Sequence, residues 1–249
     1  AYRFDGPVDA PVLMLSNSLM STHRMWDPQM TAFTGAFRVL RYDTRGHGSS
    51  ESTPGPYTIE LLAEDAAALI DTADVGPVHF LGLSMGGMIG QRLAVSRPDL
   101  VQRLVLCDTA SEMPTLEMWN ERIAIADRDG IEGLVANTIQ RWFTPAFVEH
   151  SPAAVGFVEG MIRDTGAEGY IACASAVRDM SQTHILKDIA AESLVVIGEK
   201  DPACTPEQGL VLVKEISGAQ KVVIADAAHL SNIEKPVEFN RAVLDFLTP

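Results

Sequence analysis

The chain has 249 residues, of which 47% are hydrophobic and 21% charged, and its formal net charge is −14. That size and balance describe one large globular domain, or one domain carrying an insertion, and exclude a disordered chain or a small stapled scaffold. No apolar run reaches the ~20 residues of a membrane span and no run of Lys or Arg offers phosphates a basic face, so neither a membrane nor a nucleic acid is expected as a partner.

Taken in chain order, the apolar run 12–15 (Val-Leu-Met-Leu) lies between Pro11 and Ser16-Asn-Ser and reads as a short buried strand. The spacing over 25–33 predicts a helix with Pro28 in its first turn. Residues 38–42 form a strand that runs into the turn Asp43-Thr-Arg-Gly-His-Gly48. Thr58 caps a helix to about 73, residues 78–81 make a strand, and Gly82-Leu-Ser-Met-Gly86 opens a helix to about 97. A strand follows at 101–107. This alternation predicts an α/β chain with a mostly parallel sheet covered by helices on both faces. From 111 to 187 the rhythm changes. Only helical spacing is found, cut into four or five short helices at Pro114, Gly130, Pro145, Pro152 and Gly166. Strand 194–197, helix 207–216, strand 221–224 and helix 237–247 resume the first pattern. The expected division is a core of 1–110 with 188–249 and a helical insertion over 111–187.

The ends and the cysteines carry less. The first residue is Ala1, so the sequence is read as starting inside a longer chain, with no basic-then-apolar leader in view. Cys107, Cys173 and Cys204 are odd in number and lack metal-ligand spacing, which points to reduced, buried thiols in a cytoplasmic protein.

Chemistry gathers at strand ends. A serine on a sharp strand-to-helix turn, with small residues two before and two after, is pushed above the sheet while the next helix aims its free N–H groups at the same spot. Ser84 fits that description and is the candidate nucleophile. A hydroxyl needs a base, and the order for this turn is serine, acid, histidine. His23, His47 and His79 precede Ser84, and His150 and His184 belong to the insertion or its end. His229, after the last strand, is therefore the candidate base. Two aspartates follow strands suitably, Asp201 and Asp108. The position after the insertion favours Asp201 as the acid, with Asp108 as the alternative. The candidate oxyanion donors are the backbone N–H groups of Met85, next to the nucleophile, and of Leu19, in the loop after the first strand. Asn17 and Ser18 are expected to shape that loop by side-chain hydrogen bonds. The Asp43–Gly48 turn reads as structural, with Arg45 pairing with Asp43 or with loop carbonyls.

The order of serine elbow, post-insertion aspartate and late histidine resembles the α/β-hydrolase superfamily with a helical cap. More narrowly, four stretches are similar to the 3-oxoadipate enol-lactonases: Ser16-Asn-Ser-Leu19 with Met25-Trp-Asp-Pro-Gln29, Tyr42 to Ser50, Gly82 to Gln91, and Ala227-Ala-His-Leu-Ser-Asn-Ile-Glu-Lys-Pro236. One departure is Met20, where that family has Gly. The resemblance implies hydrolysis of a lactone carboxylate through an acyl-enzyme, in the β-ketoadipate pathway of aromatic catabolism, with no metal or organic cofactor. It also implies a local cation for the substrate carboxylate. The arginines 24, 122, 128, 141, 163 and 178 are available, and Arg141, Trp142 and Trp26 are the expected substrate contacts. Some members carry a fused carboxymuconolactone decarboxylase, and no such extension is expected here. Rival readings on the same fold are a carboxylesterase or cofactor-free haloperoxidase, a carbon–carbon bond hydrolase, and a ligand receptor with a vestigial triad. Oligomeric state is not legible.

Overall fold

The computed structural model describes residues 1–113 and 116–248. In chain order the elements are β1 (Tyr2–Asp5), β2 (Val12–Ser16), a 3₁₀ turn (His23–Gln29) continuing as α1 (Met30–Phe33), β3 (Arg38–Tyr42), α2 (Ile59–Ala73), β4 (Val78–Leu83), α3 (Met85–Ser96) and β5 (Val101–Cys107). Five helices follow: α4 (Leu116–Asp129), α5 (Glu132–Trp142), α6 (Pro145–His150), α7 (Pro152–Arg163) and α8 (Ala167–Asp179). The chain closes with β6 (Glu192–Gly198), α9 (Pro206–Glu215), β7 (Gln220–Ile224), α10 (Ser231–Glu234) and α11 (Pro236–Leu247).

The strands form one seven-stranded sheet in the order β1-β3-β2-β4-β5-β6-β7, with β1 antiparallel to β3 and every other pair parallel. Central strands of a covered parallel sheet are apolar on both faces. Accordingly β2 is buried at every position, whereas the edge strands β1 and β7 are largely exposed. β1 was not expected. Its four residues show no apolar run, and only pairing with β3 makes them a strand. The helix predicted over 25–33 is a 3₁₀ turn for most of its length, with Pro28, which has no N–H for an α-helical bond, inside it. Thr58 caps α2 as expected, its hydroxyl accepting the Leu61 N–H at 3.1 Å.

From β2 the chain moves outward to β3 and then returns to β4 on the other side of β2. The loops leaving β2 and β4 therefore diverge, and Ser16 and Gly82 pair across the crevice between them. In open α/β sheets such a switch point is where a ligand fits. Between β5 and β6 the described residues form α4 to α8 and a 3₁₀ turn (Thr183–Asp188), with one isolated bridge between Glu112 and Ser181. The predicted break at Pro114 lies outside the described residues. Among the described residues no helix is long and apolar enough to cross a membrane.

The loop after β7 is tied to the β2 side of the molecule by a buried amide network. Gln29 Nε2 donates to the Asn232 carbonyl at 2.7 Å, and Asn232 Nδ2 donates to the Met25 carbonyl at 3.0 Å and to Gln29 Oε1 at 3.1 Å. Truncation leaves buried partners unpaired, at about 1–3 kcal/mol. Asn232→Ala is expected to lower the melting temperature by roughly 2–12 °C, at about 2–4 °C per kcal/mol for a chain of this size, measured by calorimetry. An unchanged melting point would remove this network from the account.

Candidate active site

Ser84 follows β4 and caps α3 with φ 56° and ψ −118°, a backbone that side-chain-bearing residues rarely adopt. The turn closes because its flanks are bare. A Cβ on Gly82 would stand 2.1 Å from the Gly86 carbonyl oxygen, and one on Gly86 would stand 2.2 Å from that of Ser16. The Ser84 N–H donates to the Cys107 carbonyl at 2.9 Å, and Thr109 Oγ1 donates to the Ser84 carbonyl at 2.7 Å. The backbone is thus held from β5 while the hydroxyl projects beside the Cys204 thiol.

His229 and Asp201 meet on the same side. His229 Nδ1 lies 2.8 Å from Asp201 Oδ2, both residues almost wholly buried. The other Asp201 oxygen accepts the N–H groups of Ala203 at 2.7 Å and Cys204 at 3.1 Å. A carboxylate so placed requires the proton on Nδ1 and leaves Nε2 free to accept. Burial disfavours the charged imidazole, but the attraction of Asp201 and its hydrogen bond outweigh this, and the His229 pKa is raised above its ordinary 6.5. Asp108 occupies the same buried cluster without touching the imidazole. Its oxygens accept the Gly198 N–H at 2.6 Å and the Ser231 hydroxyl at 2.5 Å. Burial, with the Asp201 charge nearby, pushes its pKa up to about 8. Of the two aspartates weighed, the structure brings Asp201 to the ring.

Among the described residues neither the Leu19 nor the Met85 N–H has a protein acceptor, and Leu19 lines the cavity above Ser84. Asn17 shapes this loop as expected: its Nδ2 donates to the Tyr42 carbonyl at 2.6 Å, and its Oδ1 accepts the Trp26 indole N–H at 2.9 Å. Ser18 differs from expectation. Among the described residues its buried hydroxyl has no partner, and Ser18 lines the cavity instead of bracing the loop through its side chain. Met20 stands at φ 62°, where glycine is at ease, and its side chain forms part of the cavity wall.

The cavity is partly open to solvent, and its lining includes Ser84, His229, Met88, Met118 and Trp119. Two cations face it. Arg141 makes one long contact, 3.4 Å to the Pro202 carbonyl, and burial followed by repulsion from Arg122 lowers its pKa. Arg122 donates to Tyr170 Oη at 3.2 Å and to Thr138 Oγ1 at 3.1 Å. Neither has a carboxylate partner among the described residues. Arg24, Arg128, Arg163 and Arg178 are each paired with an acid away from the cavity. Trp142 lines the cavity, its ring 6.2 Å from that of His229. Trp26 does not: its indole is fully buried against Phe239 and spent on Asn17, which corrects the expectation that it contacts substrate. Arg45 pairs with Asp65 instead of Asp43, and Asp43 instead accepts from His23 and Ser49. Sequence reasoning also passed over Glu234, whose carboxylate accepts the Ala228 N–H at 2.9 Å and the Thr144 hydroxyl, and so ties the His229 loop to the segment after α5. Among the described residues no group of three or more His, Cys, Asp or Glu is arranged to hold a metal ion.

Residues 11–236 match the family model of the alpha/beta hydrolase fold. A 3-oxoadipate enol-lactonase of Acinetobacter baylyi is 35% identical over 97% of this chain and 90% of its own length. The crystal structure of the enol-lactonase from Burkholderia xenovorans superposes with a TM-score of 0.98 at 41% identity, covering 100% of this chain and 96% of that one. A thermophilic esterase from Thermogutta terrifontis superposes with a TM-score of 0.92 at 29% identity, covering 99% and 92%.

A base acts when neutral, so a raised His229 pKa places the acid limb of kcat/KM above pH 6.5. Asp201→Asn is expected to move that limb downward, because the attracting charge is gone, and to cut kcat by roughly 10³–10⁴. Asp108→Asn spares turnover. pH–rate profiles of the three proteins check this, and loss confined to the Asp108 variant would reverse the assignment.

Proposed function

The chain belongs to the alpha/beta hydrolase family and, within it, to the enol-lactonases, as a hydrolase of lactone esters, and on that premise we propose that it opens 3-oxoadipate enol-lactone to 3-oxoadipate with a Ser84-His229-Asp201 triad. His229 Nε2 takes the Ser84 proton as Oγ attacks the lactone carbonyl. The N–H groups of Leu19 and Met85 hold the oxyanion, at roughly 3–4 kcal/mol per donor. Collapse breaks the ring C–O bond and expels the enolate oxygen, which takes the proton from His229 and tautomerises to the ketone. A water molecule, deprotonated by His229, then attacks the acyl-enzyme and releases the new carboxylate. The β-ketoadipate pathway of aromatic catabolism and a cytoplasmic location belong to the same reading, as does a cap role for residues 111–187 over a core of 1–110 and 188–249.

The observation that carries this reading is the pair of guanidinium groups without carboxylate partners, Arg122 and Arg141, facing the Ser84 cavity of a chain with net charge −14. Both are half-buried, and a partly desolvated cation without a counter-ion carries a cost, so a cavity that keeps two is matched to an anionic ligand. A neutral ester has no use for them.

Turnover of the enol-lactone, followed by loss of its ultraviolet absorbance, is expected to be fast and to vanish in Ser84→Ala. Arg122→Ala and Arg141→Ala are expected to raise KM for the lactone by about tenfold to a hundredfold, the worth of a charge-assisted contact, while leaving p-nitrophenyl acetate hydrolysis nearly unchanged. Ester cleavage without lactone opening would keep the triad and discard the substrate. Equal effects of the arginine variants on both substrates would discard the anion site.

A further inference from the structure

The loop after β3 contains a histidine that the proposed reaction leaves unused. His47 is 2% exposed and lies against the β2 loop. Its Nε2 is 3.0 Å from the Met20 nitrogen, and its Nδ1 is 3.3 Å from the Arg45 carbonyl oxygen. A backbone amide can only donate, so Nε2 is bare and the ring proton sits on Nδ1, pointing to the Arg45 carbonyl. A second proton on this ring would set two N–H groups face to face. Burial pushes the His47 pKa down to about 4, with the Arg45 carbonyl and the Asp43 charge pulling the other way. Another titratable neighbour is the Cys173 thiol of α8, 3.9 Å from Nδ1 and itself pushed up to about 12 by burial. Around neutral pH the ring is therefore a fixed, uncharged acceptor.

What it accepts from is the amide of a non-glycine residue at φ 62°, a conformation that persists only where surrounding contacts enforce it. Upstream of Leu19 the chain is clamped by Asn17, between the Tyr42 carbonyl and the Trp26 indole. Downstream, Ser21 closes the turn by donating to the Ser18 carbonyl from its N–H at 3.3 Å and its hydroxyl at 2.7 Å, and His47 holds the Met20 amide inside that turn. The Leu19 N–H, free of any protein acceptor among the described residues, lies between the two. We propose that His47 is a positioning residue for acyl transfer: as a neutral imidazole with Nδ1 protonated, it pins the Met20 amide, holds Met20 in the left-handed region, and so keeps the Leu19 N–H available to the oxyanion. The inference rests on the reading of Ser84 as nucleophile and of Leu19 as donor, but not on which ester is cleaved.

The test compares His47→Leu, which removes the acceptor, with His47→Gln, whose side-chain oxygen can take the Met20 N–H, each with and without Met20→Gly. p-Nitrophenyl acetate serves as substrate beside the lactone, with Ser84→Ala as blank and melting temperatures recorded. Losing one oxyanion donor outright costs roughly 10²–10³ in kcat. His47→Leu, which loosens a donor, is expected to lose roughly tenfold to a hundredfold in kcat on either substrate, with KM changed less than threefold. His47→Gln recovers most of that loss. In the Met20→Gly background, where glycine adopts the same φ without strain, the penalty of His47→Leu shrinks to a few-fold. Affinity for an alkyl boronic acid, whose tetrahedral adduct fills the same hole, falls in step with kcat. Equal losses in the leucine and glutamine variants, a full-sized penalty in the glycine background, or wild-type kcat in a folded His47→Leu each overturn the proposal. Nitrogen NMR of the unmutated protein gives a result independent of variant folding. A bare Nε2 from pH 6 to 9 is expected, and a ring protonated at Nε2 in that range overturns it. If the lactone reading fails instead, the wild-type protein shows no lactone turnover while these ester results stand.

Discussion

A serine held at φ 56° and ψ −118° needs a chain stripped of side chains on either side and a support behind it, and the centre of the sheet provides both. Gly82 and Gly86 clear the turn, Gly86 fits against the Ser16 carbonyl of the neighbouring strand, and Thr109 with Cys107 hold the backbone from β5. The close packing of β2 against the start of α3 therefore also brings the Leu19 loop beside the nucleophile. One crowded contact at the switch point sets the elbow and the oxyanion loop together.

The charge distribution follows from burial. The chain is acidic overall, yet among the described residues the cavity lining holds Arg122 and Arg141 without a carboxylate partner and contains no Asp or Glu. Asp201 and Asp108 share one buried cluster, and two like charges that close cannot both be cheap. Asp201 has two backbone N–H groups and the imidazole to support its charge, whereas Asp108 has one N–H and one hydroxyl and is the one pushed upward. Asp201 is spent on orienting His229.

Two histidines illustrate how neighbours decide a role. His229 faces a carboxylate and is raised toward the charged form, which suits proton transfer near neutrality. His47 faces an amide donor and a carbonyl in a dry site and is held neutral. The residue type is the same; the partners differ in sign.

Much of this was legible beforehand. Short continuous apolar runs between turns placed every parallel strand, and 3.6-residue spacing placed the long helices of the sheet layers, because apolar faces must be buried against one another. The serine elbow and the late histidine follow from local rules and chain order, since a tight turn needs small neighbours wherever it occurs. Those features were determined by the sequence itself. The strand status of residues 2–5, the burial of Trp26 away from the cavity, and the pairing of Arg45 with Asp65 were not. Each depends on a partner distant along the chain, such as β3, Asn17 or α2, and side-chain type does not say which partner will be met. For the same reason only the tertiary structure decided that Asp201 and not Asp108 reaches the imidazole, that Arg122 joins Arg141 at the cavity, and that His47 lies against the amide of Met20. Local propensity is written in neighbouring residues; a site is assembled from residues that become neighbours only on folding.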